Sequence, residues 1–547
     1  MQVSPLNFSK RKEFIANISS YEADLLIIGG GITGSGIALD AALRNLKTVL
    51  IEKNDFASGT SSRSTKLIHG GLRYLKQFEI KLVRDVGRER AVLYKNAMHL
   101  VRPEKMLLPI FKNGSLGKNS SSLGLLVYDL LAGVEKSERR KMLSSAQTIA
   151  EEKLIKNTGL VGGGLYYEYR TDDARLVIEL IKSASQEGAT CINYMEANEF
   201  IYDENEKIVG INTTDKLSGN KSAIRAKCVI NAAGPSVDLI RKADNSLYGK
   251  RLLLTKGVHL VLPYEKLPLS QAVYFDVADG RMIFAIPRDS KTYIGTTDTL
   301  YNQDVDYPSV NISDVSYLLD AANAMFPNAH LKTEDVESSW AGLRPLIFEE
   351  GKGPSELSRK DEIIVSDSGL LSIAGGKLTG YRLMAEKIVD MAQAKLEKPS
   401  SKRNKTINYK LSGCSFSSEK EVETFIKDIS EQYKISSATI KSWTYKYGDN
   451  IKIIAQNYLK QQSVVNDEEL AALISELDYT IEYEMVLTAE DFIIRRSALL
   501  YFNLPLVKKY LNKILDYMEK RLNWSEEKKG KQRSKIELRI KEATTFL

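Results

Sequence analysis

The sequence predicts an α/β protein with a second, antiparallel sheet and a separate all-helical domain at the C-terminus. Three observations carry this reading. Within "EADLLIIGGGITGSGIALDAALRNLKTVLIEKNDF", residues 22–56, an apolar run, a glycine-rich turn, a segment of helical periodicity and another apolar run follow one another. Between residues 256 and 300, short runs alternate apolar and polar ("GVHLVLP", "AVYFDV", "RMIFAIP", "TYIGTTD"), as antiparallel strands do. Past residue 414, Val422, Phe425, Ile426 and Ile429, and then Leu511, Ile514, Leu515, Met518 and Leu522, recur on single helical faces.

The first segment reads as strand, tight turn, helix, strand. Leu25–Ile28 is apolar without interruption, as a strand buried on both faces should be. Ile32, Ile37, Ala38, Ala41 and Ala42 then keep helical spacing, and Thr48–Ile51 is apolar again. Gly29, Gly31 and Gly34 stand at the strand-to-helix turn in the pattern Gly-x-Gly-x-x-Gly. There glycine permits the turn, the approach of a pyrophosphate, and close helix–strand packing. The helix N-terminus offers free N–H groups to that pyrophosphate. Glu52 ends the second strand, where a carboxylate accepts from ribose hydroxyls. The unit is a Rossmann-like dinucleotide fold, and its turn alone does not choose between NAD and FAD.

Two later segments favour FAD. "AKCVINAAGPSVDLI", residues 226–240, is a strand running into a second close backbone approach at Gly234. "GLLSIAGGKLTGYRLMAEKIVDMA", residues 369–392, is a strand, a Gly375-Gly376 turn and a helix, which aims another helix N-terminus and Lys377 at a ligand. A cofactor contacted from residues 29, 234 and 376 is long and extended, which suits a tightly held FAD.

Composition bounds the rest. The 547 residues allow two to four domains, and a hydrophobic content of 43% supports large cores. Net charge is +7 from 77 basic and 70 acidic residues, too balanced for a dedicated nucleic-acid binder. The 3 cysteines, Cys191, Cys228 and Cys414, are far apart, which speaks for a reducing compartment and against a disulfide framework. No cluster has metal-ligand spacing, so no metal is expected. The N-terminus lacks a signal-peptide pattern, and no apolar run is long enough to span a bilayer.

"TSSRSTKLIHGGLRYLKQFE", residues 60–79, gathers Lys66, His69 and Arg73 around Gly70-Gly71. Together with "YRTDDARL", "TKGVHLVLP", "DGRMIFAIPR", "YIGTTDT", "SSWAGLRPL", "SRKDEI" and "GGKLTGYR", in that order, this stretch resembles the FAD-dependent glycerol-3-phosphate dehydrogenase family over about residues 20–395. The helical extension resembles that family's too. The resemblance implies oxidation of sn-glycerol 3-phosphate to dihydroxyacetone phosphate, with electrons passed to membrane quinone. It further implies a fold of the glutathione-reductase and amino-acid-oxidase type, with the antiparallel substrate sheet beside the FAD domain. FAD contacts are then expected at Gly29, Gly31, Gly34, Glu52, Thr60, Ser61, Ser62, Lys66, Leu67, His69, Gly70, Gly234, Gly376, Lys377, Leu378 and Thr379.

By the same resemblance Arg73, Arg344 and Arg359 hold the substrate, with Tyr74 and Lys377 in the same pocket. Arginine suits a phosphate because its planar fork makes two parallel charge-assisted bonds. His259, on an apolar strand beyond Gly257, is the candidate proton acceptor; the plainer reading is a satisfied core histidine. Arg344 is an alternative stabiliser of the developing alkoxide, with solvent taking the proton. Lys377 has a second role open to it, stabilising reduced flavin. His69 reads as structural or flavin-facing, His99 and His330 have no chemical company, and the turn Gly295–Asp298 reads as support for the sheet.

Expected boundaries are 22–395 for the FAD domain with an interleaved substrate sheet, the latter mainly at about 90–150 and 250–340. A linker follows at 396–413 and a helical domain at 414–547, with Thr488–Asp491 resembling a capping box. Residues 106–141 read either as an internal helix with a solvated basic end or as a segment dipping into a bilayer interface. "SEEKKGKQRSKIELRIKEA" near the C-terminus reads as a mobile, solvated helix or tail. The expected location is cytoplasmic, at the cytoplasmic membrane face, with peripheral association, no nucleic-acid partner, and a homodimer left open. The rivals are an oxidase of the same family that makes peroxide from oxygen and, remotely, a flavin-containing RNA-binding protein.

Overall fold

Burial of the first apolar run on both faces places it in the middle of a sheet. The computed structural model describes residues 6–69, 80–112, 114, 139–348, 361–398 and 405–546, and Arg73, Tyr74, Gly70 and Arg359 lie outside them. The strand Glu22–Ile28 pairs in parallel with Thr48–Ile51 on one side and Lys221–Asn231 on the other. Thr190–Ile192 and Leu371–Gly375 extend the parallel sheet outward, and Asp361–Val365 closes one edge antiparallel. Leu25, Leu26 and Ile27 have no solvent exposure, which explains why this strand carries no polar alternation. Helix Ile32–Leu43 packs between helices Asp173–Gln186 and Tyr381–Lys395. A Cβ on Gly36 would meet the Tyr381 ring at 2.6 Å, so a glycine is what lets the last of these helices come close.

The second sheet is built around Leu252–Pro263, which pairs antiparallel with Lys291–Gly295 and with Ser338–Ile347. It continues through Met282–Arg288, Ala272–Asp276, Arg102–Phe111 and Leu160–Arg170. The sheet therefore draws on residues 160–170 and 338–347 in addition to the stretches expected from sequence. Alternation on the central strand divides two environments. Val258, Leu260 and Leu262 pack under helix Ile312–Met325, whereas Val261 joins the core shared with the C-terminal helices. His259 has the parity of Val261 and lies opposite Trp340 in register.

The short strand Leu67–Ile68 ends this second sheet, pairing antiparallel with Leu160–Arg170. Residues 113 and 115–138, the bulk of the segment weighed for membrane contact, are outside the described residues; its flanks are the strands Arg102–Phe111 and Lys141–Leu143. The expected linker is partly fastened: the Asn96 amide donates to Thr406 O and Ile407 O at 3.0 Å, and Leu411 N donates to Asn96 O.

The C-terminal region is helical, from Glu419–Tyr433 through Leu504–Leu522 to Glu526–Thr544. Thr488 and Asp491 form a reciprocal cap: the Thr488 hydroxyl and amide donate to Asp491, and the turn Asp491–Arg496 opens there. The terminal segment, expected to be mobile and solvated, is instead a packed helix. Ile536 is fully buried, and the Ser339 hydroxyl donates to Ala543 O at 3.0 Å.

Buried charged side chains fasten this region to the loop and helix beside the parallel sheet, next to an apolar contact through Met485 and Leu487. Asp55, just past the second strand, accepts from Arg496 at 2.6 and 3.0 Å and from Arg495. Glu484 accepts from Arg175 at 2.8 Å and from Lys182 at 3.2 Å. The Arg495 and Arg496 guanidiniums hold Asp55 down at about 2 despite its burial, and Arg175 and Lys182 do the same for Glu484, also about 2.

Both carboxyls are depressed by folding, from ordinary values of 3.8 and 4.5. Their contribution is complete above the unfolded values and is lost as pH falls through the folded ones. Denaturant titrations are therefore expected to show stability dropping between about pH 4.5 and pH 2. Asp55→Ala should cost about 3–5 kcal/mol at pH 7, because it leaves two guanidiniums buried without their carboxylate.

Candidate active site

A large cavity of about 1100 Å³ runs between the two sheets and under the C-terminal helices. Its walls contain most of the residues singled out in the sequence. Gly29, Gly31, Glu52, Thr60, Ser61, Ser62, Leu67, His69, Gly234, Gly376, Lys377, Leu378 and Thr379 all line it, as do His259 and Arg344.

The glycine turn is sterically committed. Gly29 has φ +116°, and a Cβ there would lie 2.5 Å from Ala232 O. A Cβ on Gly34 would sit 1.8 Å from Gly29 O, so Gly34 serves the packing beneath the turn and not the cavity wall. Glu52 is fixed by two backbone donors, Gly30 N at 2.8 Å and Asn54 N at 2.9 Å. Burial raises its pKa, and these two amides oppose the rise. Its remaining lone pairs are the acceptors a ribose needs. The Ser61 hydroxyl accepts from Ile32 N at 2.9 Å, tying the 60–62 turn to the start of the helix. Gly375 and Gly376 both have φ near +75°, at +74° and +78°, and lead into the turn Leu378–Gly380 and the helix behind it. Three backbone approaches and a fixed carboxylate along one long cavity fit an extended dinucleotide.

Lys66 departs from expectation. Its ammonium is buried and donates to Asp173 at 2.6 Å and to Ser62 O at 3.0 Å. A buried charge needs its partner close, and Asp173 takes it. Lys66 thus braces the 62–66 turn from behind, and its charge is not offered to the cofactor. His69 lies in the wall with an edge-on contact to Phe284.

The other end of the cavity is defined by His259 and Arg344. The imidazole is stacked on Trp340, with centroids 4.8 Å apart and planes at 12°, and its Nε2 is 3.0 Å from the Thr65 hydroxyl. A Cβ on Gly295 would clash with the ring at 2.3 Å, so this glycine makes room for it. Burial, then the nearby Arg344 and Lys66 cations, push the His259 pKa well below 6.5, and the ring is neutral at physiological pH. Arg344 Nη1 donates to Thr297 O at 3.0 Å and to Asp298 at 3.1 Å, and Nη2 donates to the Thr296 hydroxyl at 2.8 Å. The turn read as sheet support therefore orients a guanidinium. Gly257 gives it space: a Cβ there would lie 2.4 Å from Nη2.

Sequence reasoning missed Thr65, Trp340 and the terminal helix, whose Lys528, Lys531, Gln532, Lys535 and Arg539 also line the cavity. The helical spacing of Gln532, Ile536, Ile540 and Ala543 was a usable signal for the helix.

Residues 24–382 match the family model described as FAD dependent oxidoreductase, and residues 404–529 match the C-terminal domain of alpha-glycerophosphate oxidase. An aerobic glycerol-3-phosphate dehydrogenase of Staphylococcus aureus is 50% identical over 98% of this chain and 98% of its own length. One from Staphylococcus epidermidis is 49% identical over 99% of this chain and 98% of its own. The X-ray structure of the glycerol-3-phosphate dehydrogenase from Bacillus halodurans complexed with FAD has a TM-score of 0.85 at 43% identity, covering 99% of both chains. The L-alpha-glycerophosphate oxidase from Mycoplasma pneumoniae, 18% identical, shares the fold with a TM-score of 0.56 over 71% of this chain and 98% of that one.

Gly34→Ala is expected to purify without flavin while keeping its helical content, since the added methyl collides with the Gly29 carbonyl. The ratio of flavin to protein absorbance, beside circular dichroism, measures it.

Proposed function

Because this chain belongs to the family of FAD-dependent oxidoreductases that includes the aerobic glycerol-3-phosphate dehydrogenases, we propose that it oxidises sn-glycerol 3-phosphate to dihydroxyacetone phosphate. The observation that carries the reading is the pairing of a neutral imidazole and an oriented guanidinium in the cavity that also holds the glycine turns. FAD, when bound, supplies the hydride acceptor.

The chain's own residues bind the anion and manage the proton. Arg344 is locked by Thr296, Thr297 and Asp298, so it offers its fork to a phosphate or to the oxygen being oxidised without first losing rotamer freedom. Lys377 adds positive charge to the same wall. Arg73, Tyr74 and Arg359 complete the substrate pocket in this reading; they are outside the described residues.

Loss of hydride from a secondary alcohol leaves a proton on its hydroxyl. His259 takes it at Nε2, with the Thr65 hydroxyl, itself in the cavity wall, passing on its own proton as it receives the substrate's. Arg344, the stronger of the cations that lower the His259 pKa, is partly neutralised when a doubly charged phosphate enters, while Lys66 stays paired with Asp173. Substrate binding thus makes the imidazole a stronger base at the moment it is needed.

Electrons then pass to a quinone at the cytoplasmic face of the membrane. No helix among the described residues is long and apolar enough to cross a membrane, so the association is peripheral in this reading. A second reading, an oxidase delivering electrons to oxygen, draws support from the match of residues 404–529 to a glycerophosphate oxidase domain. An oxygen electrode separates them: the dehydrogenase consumes little oxygen with substrate alone, whereas the oxidase accumulates peroxide.

Anaerobic mixing with sn-glycerol 3-phosphate should bleach the flavin. His259→Ala should slow that bleaching by about 10²–10⁴-fold at unchanged flavin content. Arg344→Lys should lower kcat/KM by about tenfold to a hundredfold through loss of the fork geometry. Wild-type bleaching rates in both variants would refute the assignment.

A further inference from the structure

The helix Glu526–Thr544 has a composition that predicts solvent on all sides, yet one stripe of it faces the cavity from end to end. Lys528, Lys531, Gln532, Lys535, Arg539 and Ala543 line that cavity at the spacing of a single helical face, with the carboxylates Glu527 and Glu542 among them. Gln532 and Ala543 on this stripe are buried, Lys528 and Arg539 are half-buried, and Lys531 and Lys535 stand exposed at the cavity's rim.

The helix is fastened at several points along its length. Ser525 caps its start by accepting from Lys528 N at 3.2 Å. Gln532 accepts from Ala489 N at 3.1 Å, and Arg539 donates to Glu490 at 2.7 Å. At the far end Ala543 O is held by Ser339, next to the Trp340 on which His259 is stacked. At the near end Lys528 is half-buried, and burial with the neighbouring Arg11 cation pushes its pKa down. A lysine in that position gains from any anion brought beside it.

We propose that this helix is a strap laid along the FAD cavity. Its lysines 528, 531 and 535 form a cationic rim for the anionic dinucleotide, and the seating of the helix and the retention of FAD are one coupled equilibrium. The cofactor adds negative charge beside Lys528 and Lys535 in a stripe where Lys531 already pairs with Glu527 at 2.6 Å and Arg539 with Glu490 at 2.7 Å, and the fastened helix closes the route by which the cofactor leaves. Linkage makes the coupling reciprocal: whatever loosens the helix loosens FAD, and FAD tightens the helix by the same factor. The inference rests on FAD dependence and not on the identity of the substrate.

Two measurements on the full-length protein test it. The triple variant Lys528→Gln, Lys531→Gln, Lys535→Gln should lose flavin through a filter about tenfold faster than wild type on repeated dilution, given three charge contacts at the cavity rim. The difference should shrink as salt is raised. Equal flavin loss overturns the proposal, and so does equal flavin loss with a raised KM for sn-glycerol 3-phosphate, which would assign the rim to the substrate's phosphate. Independently, amide hydrogen exchange in residues 526–544 should be slower in FAD-loaded protein than in protein stripped of flavin. Identical exchange in the two forms overturns the coupling.

Discussion

The carboxylate of Asp55 is sealed from water and held between two guanidiniums, and much of the molecule is arranged around that fact. An unpaired charge in such a place would be ionised only at a cost of several kcal/mol. The solution is a cluster in which Arg495, Arg496, Arg175 and Lys182 meet Asp55, Asp491, Glu484 and Glu179, four cations against four carboxyl groups. Opposite directions of pKa shift show how the charge is divided. Asp55 and Glu484 are held low by their cations, while burial drives Asp491 and Glu179 up. Asp491 also accepts from the Tyr194 hydroxyl at 2.6 Å, which ties the cluster to the parallel sheet a second time. Apolar surfaces slide past one another at little cost; a sealed cluster like this one has a single satisfactory register.

That register positions the cavity between the sheets. Asp55 follows Glu52 closely in the chain, so the C-terminal region is locked to the loop that carries this cavity-lining carboxylate. The turn that supplies Arg495 and Arg496 begins with the Thr488–Asp491 cap, and Glu490 inside that cap holds Arg539 of the terminal helix. Arg495 itself reaches the cavity wall. A domain without chemistry of its own in the sequence thus reaches the cavity both through the nine-residue stretch 488–496 and through the terminal helix that this stretch holds.

The glycine turns and the two-sided burial of Leu25–Ile28 were legible because each has a local cause: a backbone position that a Cβ would block, or a strand with no polar alternation. Arg344 and His259 were legible only through the ordered motifs around them, and their working geometry was not. Arg344 depends on Thr296, Thr297 and Asp298, distant in sequence and joined to it by strand pairing. Lys66 was misread for the complementary reason. A lysine in a ligand-binding turn looks like a ligand contact until the fold brings Asp173 to 2.6 Å. Residues whose role is set by a partner more than a hundred positions away, as Lys66 and Asp173 are, carry no mark of it in the linear order.

The terminal helix shows a sharper limit. Periodicity identifies a buried face by its apolar residues, because the usual partner of a helix is a hydrocarbon core. Here much of the partner is a cavity meant for a charged molecule, so the facing stripe is lysine, glutamine and arginine, and the helix reads as solvated on every side. Ile536, Leu538, Ile540 and Ala543 break the polar pattern, and of these only Ile536 and Ala543 are buried. A basic helix that ends in a few regularly placed small or branched residues is then ambiguous between a tail and a wall. What separates the two is whether the fold places an anion-binding space against the basic stripe, and in this chain the Asp55 cluster does so.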